Sequence, residues 1–134
     1  MTRNRKEAII LDHIQRGIFE VDGDGRIWRI ARRKGNQIVP CKRKRAERTT
    51  RNGYLRVHFR HGRDVISVVS HRIIYAISTG HLAGDCDVNH RDCDRQNNHP
   101  SNLEAISHAQ NMSQRGSTLS ERDWCAIGAM GISA

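Results

Sequence analysis

From Gly53 to Gly80 the chain reads GYLRVHFRHGRDVISVVSHRIIYAISTG, and no other stretch restricts the fold as tightly. Leu55, Val57 and Phe59 alternate with Arg56, His58 and Arg60. Side chains on a strand point to opposite faces in turn, so this strand buries one face and presents a basic one. A short turn and a second strand follow. From His71 to Ser78 the period becomes helical, with Ile73, Ile74 and Ile77 as the packing face. The stretch predicts strand, turn, strand and helix, in that order.

The flanking segments predict small elements of the same kinds. Residues 6–16 (KEAIILDHIQR) predict a short helix with Ile10, Ile14 and Leu11 on one side, ended by Gly17. VDGDGRIWRIA predicts a hairpin, because Asp-Gly occurs twice and Arg26 to Ile30 alternates polar and apolar. Residues 32–52 are expected to be a loop, with Pro40 and the tract CKRKRAER inside it. That tract reads as a mobile, phosphate-seeking loop or solvated turn rather than as a nuclear-localisation signal. Downstream, Ser101 with Glu104 fits a capping box and Pro100 stands just ahead, which predicts a helix from about Asn102. On that helix Leu103, Ala105, Ile106, Ala109 and Met112 share one half of the circumference; Glu104, Ser107, His108 and Asn111 share the other. Residues 117–134 (STLSERDWCAIGAMGISA) predict a further helix capped by Ser120. Its Gly-Ile-Ser resembles the turn of a helix-turn-helix, but no recognition helix follows, so a packing or dimerising helix is expected.

A chain of 134 residues suits one compact domain, and with aromatics at 4% its core must be small and aliphatic. No apolar run approaches the roughly 18–20 residues a membrane span needs. The N-terminus MTRNRKEAIILDHIQRG lacks the features of a signal peptide. The expectation is a soluble, cytoplasmic protein without a membrane partner, as monomer or homodimer. Cys41, Cys86, Cys93 and Cys125 are scattered without a CxxC pair, so they are expected to be free thiols. A zinc site using Cys86 and Cys93 is disfavoured, because the paired zinc-ribbon spacing is missing.

Net charge is +9 and unevenly divided. Residues 1–72 carry 19 Lys/Arg against 7 Asp/Glu, a net +12, whereas residues 73–134 carry 4 against 7, a net −3. A strongly cationic part beside a mildly anionic one points to a polyanionic partner, because each phosphate neutralised releases condensed counterions. The candidate DNA contacts are Lys42, Arg43, Lys44 and Arg45 in the 32–52 segment, Arg56 and Arg60 on the basic strand face, and Arg72 and Arg91.

Residues 85–112 (DCDVNHRDCDRQNNHPSNLEAISHAQNM) gather five Asn around His90. Amides and imidazoles rarely build a core, but they suit a site that holds a hard metal, a water and a phosphate. DVNH reads as a strand ending at Asn89 and His90. A polar turn through Asp92, Asp94, Asn97 and Asn98 follows, and then the helix carrying Asn111. Two rigid elements can thus converge on one metal with the His beside it.

Here the sequence resembles a known family. VNHRDCDRQNNHPSNLEAISHAQN is similar to the HNH, or ββα-metal (His-Me finger), nuclease motif, in the branch of phage and group I intron homing endonucleases. The pattern is specific: Asn102 stands 12 positions after His90, and Asn111 nine positions after Asn102. Gly53-Tyr54-Leu55 and Ser70-His71-Arg72 also resemble the lead-in strands of that branch. The resemblance implies an α+β fold with a ββα-metal core at about residues 70–114, preceded by a small antiparallel β-sheet with short helices. Residues 1–114 would form one basic, DNA-gripping region continuous with that core, and residues 115–134 a helical tail.

The resemblance further implies an endonuclease of a bacterial or phage-infected cell that cuts double-stranded DNA with one divalent metal, Mg²⁺ or else Mn²⁺. His90 is implied as general base, and Asn89 and Asn111 as metal ligands. Asn102 is implied as the residue that ties the loop to the strand and orients His90, with His71 structural. Two departures stand out. Cys93 occupies the Gly of the family's Asp-Gly turn, so a differently shaped turn is expected. Asn89 replaces an Asp, and two amide ligands bring no negative charge, so metal should bind weakly until the substrate phosphate adds its own. Asp87 and Asp92 are the nearby carboxylates. The competing expectation is a DNA-binding protein that kept the fold and lost cleavage.

Overall fold

The computed structural model describes residues 1–115, with side chains as far as Asn111. Thr2 caps the first helix, α1 (Arg3–Gln15), by accepting from the Arg5 N–H. The apolar side expected of this helix is the one it buries, with Ile10 fully enclosed and Leu11 and Ile14 partly so. Enclosing one such side chain contributes roughly 1.5–3 kcal/mol.

β1 (Phe19–Val21), β2 (Ile27–Lys34) and β3 (Gln37–Arg45) form an antiparallel sheet in that order. Asp22 builds the first turn: its carboxylate accepts from the N–H groups of Asp24 and Arg26 and from Trp28 Nε1. The loop expected over residues 32–52 is mostly strand. β2 runs on to Lys34, turns at Gly35, and returns as β3, with β4 (Glu47–Thr49) close behind. The charged tract hides this strand because β3 has no buried residue and therefore no alternation to read. As an edge strand it tolerates Pro40, which lies opposite Ala31 beside a register shift between Arg29 and Ala31.

β4, β5 (Leu55–His61) and β6 (Asp64–Val69) make the second antiparallel sheet. Leu55, Val57 and Phe59 are buried while His58 and Arg60 are exposed, as the period of two requires. α2 (Ser70–Thr79) follows directly and buries Ile73 and Ile74. Ile77, expected beside them, is 43% exposed, because the buried stripe is completed by Ala76 and Ile77 falls past its edge.

β7 (Asp87–His90) pairs antiparallel with β8 (Leu103–Ile106), and α3 (His108–Arg115) completes the described chain. The helix expected from about Asn102 therefore starts later. Pro100–Asn102 is a single 3₁₀ turn in which His99 Nδ1 accepts from the Ser101 N–H, and the residues after it are strand. Leu103 finds His90 opposite and Ile106 finds Asp87, a non-local pairing that overrides the local capping signal. One buried cluster joins α1, all three sheets and α2 through Ile10, Phe19, Ile27, Val57, Ile66, Ile73, Val88 and Leu103.

Two further expectations change. Arg72 is 5% exposed and forms no part of the surface. Its Nε donates to Glu7 Oε2 at 2.6 Å, Nη1 to the Cys86 carbonyl at 2.7 Å and Nη2 to the Gly84 carbonyl at 2.9 Å, so the guanidinium is turned inward and buried, away from a phosphate. Cys41 and Cys86 are free thiols as expected, but Cys93 is disulfide-bonded, a pairing that depends on which segments meet in space. Cys93 is therefore no thiolate donor for zinc. Cys125 and the helix expected over residues 117–134 lie outside the described residues. Among the described residues no helix is long and apolar enough to cross a membrane.

Candidate active site

β7 delivers the candidate chemistry at its last two residues, which point to opposite faces. His90 turns inward and is 4% exposed, under Tyr54 and His71 at ring separations of 6.0 and 4.7 Å. Its Nε2 lies 2.8 Å from Asn98 Oδ1. An amide oxygen only accepts, so Nε2 carries the proton and Nδ1 keeps the lone pair. Burial pushes the His90 pKa below its ordinary 6.5, outweighing the Asn98 hydrogen bond and the Asp92 and Asp94 charges that pull the other way. The imidazole is thus neutral at pH 7, which a general base requires.

The turn after β7 is closed by Asn102. Its Oδ1 accepts from the Asp92 N–H at 3.1 Å, while Nδ2 donates to Asp92 Oδ1 at 2.8 Å and to the Asn97 carbonyl at 2.9 Å. Asn102 reaches His90 only through this turn; the direct partner is Asn98. Sequence reasoning named Asn98 as a turn residue and missed its hydrogen bond to His90. In the Asn97-Asn98 pair the side chains part, with Asn97 donating to Asp92 Oδ2 and Asn98 turned into the core. Cys93 adopts φ +61°, the left-handed conformation that Gly takes freely, so a Gly-type backbone is kept although the residue differs. The turn is also held from outside by Gly25, whose missing Cβ would sit 1.9 Å from the Asn98 carbonyl oxygen. Only glycine at that tip lets the first hairpin dock against the loop that holds His90.

The opposite face of β7 carries Asp87 and Asn89. Asn89 Nδ2 donates to Glu104 Oε1 at 3.3 Å across the ladder. From α3, Asn111 Nδ2 donates to Asp87 Oδ2 at 2.8 Å, and His108 Nδ1 approaches the same oxygen at 3.0 Å. The structure therefore brings Asn111 to Asp87, and no hydrogen bond joins Asn111 to Asn89. Burial alone would raise the Asp87 pKa, but the Asn111 and His108 hydrogen bonds hold it below the usual carboxylate range. Each amide gives its nitrogen end to a carboxylate, so both oxygen ends are left without a hydrogen bond among the described residues. Among those residues no three His, Cys, Asp or Glu side chains gather as a metal-holding group. The donors here are amide and carboxylate oxygens, which suit Mg²⁺ or Mn²⁺ better than zinc.

His71 stacks on Tyr54 at 5.4 Å, and burial, aided by His90 and Arg72, lowers its pKa to about 3. It is neutral when folded, whereas an unfolded histidine titrates near 6.5. Acid therefore favours the unfolded chain. The stability carried by a neutral His71 is complete above about pH 6.5 and is lost towards pH 3, at about 1.4 kcal/mol per pH unit. Urea unfolding at pH 7 and pH 5 is expected to differ by about 2 kcal/mol from this residue. His13, lowered by burial and by His61, acts in the same direction. Equal unfolding midpoints at the two pH values would refute this.

The remaining candidate DNA-contacting residues are spread over the first two sheets and the turn. On β3, Arg43 stacks on Trp28 at 4.0 Å and pairs with Glu20, and Arg45 pairs with buried Glu47 at 3.0 Å. Lys42 and Lys44 are exposed and form no ion pair among the described residues. Arg56 donates to Ser67 Oγ at 2.9 Å, Arg60 is exposed, and Arg91 lies 3.6 Å from Glu104.

Residues 68–113 match the family model described as HNH endonuclease. Among curated proteins no sequence matches the chain. Among solved structures it is similar to one titled "DNA binding and cleavage by the HNH homing endonuclease I-HmuI", with 22% identity and a TM-score of 0.53. The match covers 87% of this chain but only 63% of that one. At this identity the likeness speaks for the fold, a mixed α+β arrangement of small antiparallel sheets and short helices. Residues 68–113 thus resemble the HNH endonuclease family, and the fold of the chain is similar to that of an HNH homing endonuclease.

Proposed function

We propose that this protein is a divalent-metal-dependent DNA endonuclease of the HNH homing type, with His90 as general base. The observation that carries the reading is His90 itself: it ends β7, inside the matched segment, and Asn98 fixes its tautomer with Nδ1 unprotonated. In this reading Nδ1 takes the proton from the water that attacks the phosphodiester. Asn98 keeps the ring in that orientation, and Asn102 keeps the turn that carries Asn98. The oxygen ends of Asn89 and Asn111 would hold the metal. When bound, a divalent ion supplies positive charge to a non-bridging phosphate oxygen and to the leaving oxygen.

The reading is tested with supercoiled plasmid and the purified chain, in Mg²⁺ and in EDTA. Nicked or linear product in Mg²⁺ alone is expected. Plasmid that is bound but uncut in Mg²⁺ and in Mn²⁺ would favour the competing reading, a DNA-binding protein that kept the fold. One observation favours that alternative, Asn89 in place of an Asp.

The DNA grip in this proposal comes from Lys42, Arg43, Lys44, Arg45, Arg56, Arg60 and Arg91. Lys42 and Lys44 are the cleanest to test, since Arg43 and Arg45 also hold Trp28 and Glu47. Changing both lysines to Gln is expected to reduce the steepness of the log–log salt dependence by about 0.9 for each phosphate no longer neutralised. Affinity should fall equally on random and preferred DNA, because binding to phosphates carries little sequence information. An unchanged slope would move the grip away from β3.

A further inference from the structure

Two amides are a weak set of metal ligands, because neither brings charge. Three carboxylates stand near them, and their surroundings differ. Asp92 is spent on the turn: its oxygens accept from the Asp94 N–H, Asn97 Nδ2 and Asn102 Nδ2 at 2.8–2.9 Å. Glu104 faces Asn89 but has the permanently charged Arg91 guanidinium 3.6 Å away. Asp87 is different. It shares the Asn89 face of β7, its side chain is 25% exposed, its hydrogen-bond partners are the Asn111 amide and the His108 imidazole, and the charge of Arg3 reaches it without an ion pair.

We infer that Asp87 is the charge-bearing residue of the divalent-cation site, acting through Asn111 and replacing the charge that Asn89 lacks. The inference rests on the nuclease reading above. The geometry supports two effects at once. By taking the nitrogen end of the Asn111 amide, Asp87 fixes which end of that side chain is left for a cation: the oxygen. By standing one amide's width from that oxygen, it places a full negative charge where a cation would be held. The carboxylate is thus moved two positions up the same strand face, which the strand period of two allows without disturbing His90 on the other face.

The test is titration of the free 134-residue chain with Mn²⁺, following free Mn²⁺ by electron paramagnetic resonance. Partners that orient a metal ligand typically contribute about 10–100-fold in affinity. Asp87→Asn is expected to weaken Mn²⁺ binding by about that factor, with an unchanged thermal melt in EDTA. Adding Asn89→Asp to Asp87→Asn should restore binding, because the charge returns to the same face; a merely structural Asp87 would not be rescued this way. Should Asp87→Asn melt early, Asp87→Glu, which keeps the charge, is expected to bind like wild type. Wild-type affinity in Asp87→Asn, failure of the rescue, or loss of binding in a folded Asp87→Glu each overturn the inference. If the wild-type protein cuts plasmid in Mg²⁺ but binds no Mn²⁺ when free, the inference falls and the nuclease reading stands. If it does neither, both fall.

Discussion

His90→Ala is expected to slow plasmid cleavage by about 10²–10⁴-fold, the range a positioned general base contributes, while DNA affinity changes by less than about twofold. The separation follows from where the ring sits. His90 is 4% exposed and packed among Tyr54, His71 and Asn98, so it offers the duplex almost no surface. In the proposed reading, what disappears is the Nδ1 lone pair that would accept the proton of the attacking water. Single-turnover cleavage and equilibrium binding in EDTA, measured on one preparation, separate the two effects. The substitution also leaves a cavity beside His71, so both measurements belong well below the melting temperature of the variant. Added imidazole, small enough to enter that cavity, is expected to return part of the cleavage and none of the binding. Parallel loss of binding and cutting would remove His90 from the role of base.

The second large effect concerns stability. Arg72→Leu is expected to cost about 3–5 kcal/mol, because breaking one side of a buried ion pair strands the other charge. Glu7 is 2% exposed and would keep its carboxylate without the guanidinium, and the Gly84 and Cys86 carbonyls would lose their donors. Removing both charges together, as Glu7→Leu with Arg72→Leu, should recover much of the loss, since well-packed apolar pairs often replace buried ion pairs at little net cost. Urea unfolding of the two variants measures this directly. A loss below about 1 kcal/mol in Arg72→Leu would mean that Glu7 finds another partner or water. The ion pair also bears on the site: Arg72 grips Cys86, immediately before β7, and so links α1 and α2 to the strand that ends in His90.

Where local pattern and tertiary environment agreed, the sequence was readable in detail. The alternation Leu55, Val57, Phe59 fixed one face of β5, and DVNH fixed the strand that ends at His90. The Asp-Gly turns located the first hairpin, and the spacing of His90, Asn102 and Asn111 pointed to the same family whose model matches residues 68–113. Where a segment has no inward face, the pattern had nothing to report. β3 is such a segment, without a buried residue and rich in charge, and it reads as a loop until β2 is seen beside it.

The candidate site divides along the same line. Its residue types and spacing are local facts: a histidine at a strand end, amides in a turn, an amide on the last helix. Its pairings are not. Asn98 rather than Asn102 holds His90, Asp87 rather than Asn89 meets Asn111, and Arg72 turns inward to Glu7 instead of outward to DNA. Each of these depends on elements brought together by the fold. Glu7 and Arg72 are 65 residues apart, and Gly25 meets Asn98 only because the first hairpin folds onto the last turn. Sequence by itself determined which side chains are present and which period each segment follows, because propensity and alternation act over a few residues. Tertiary structure alone decided which polar groups meet, because a buried donor or acceptor is satisfied by whatever partner the packed core brings within reach.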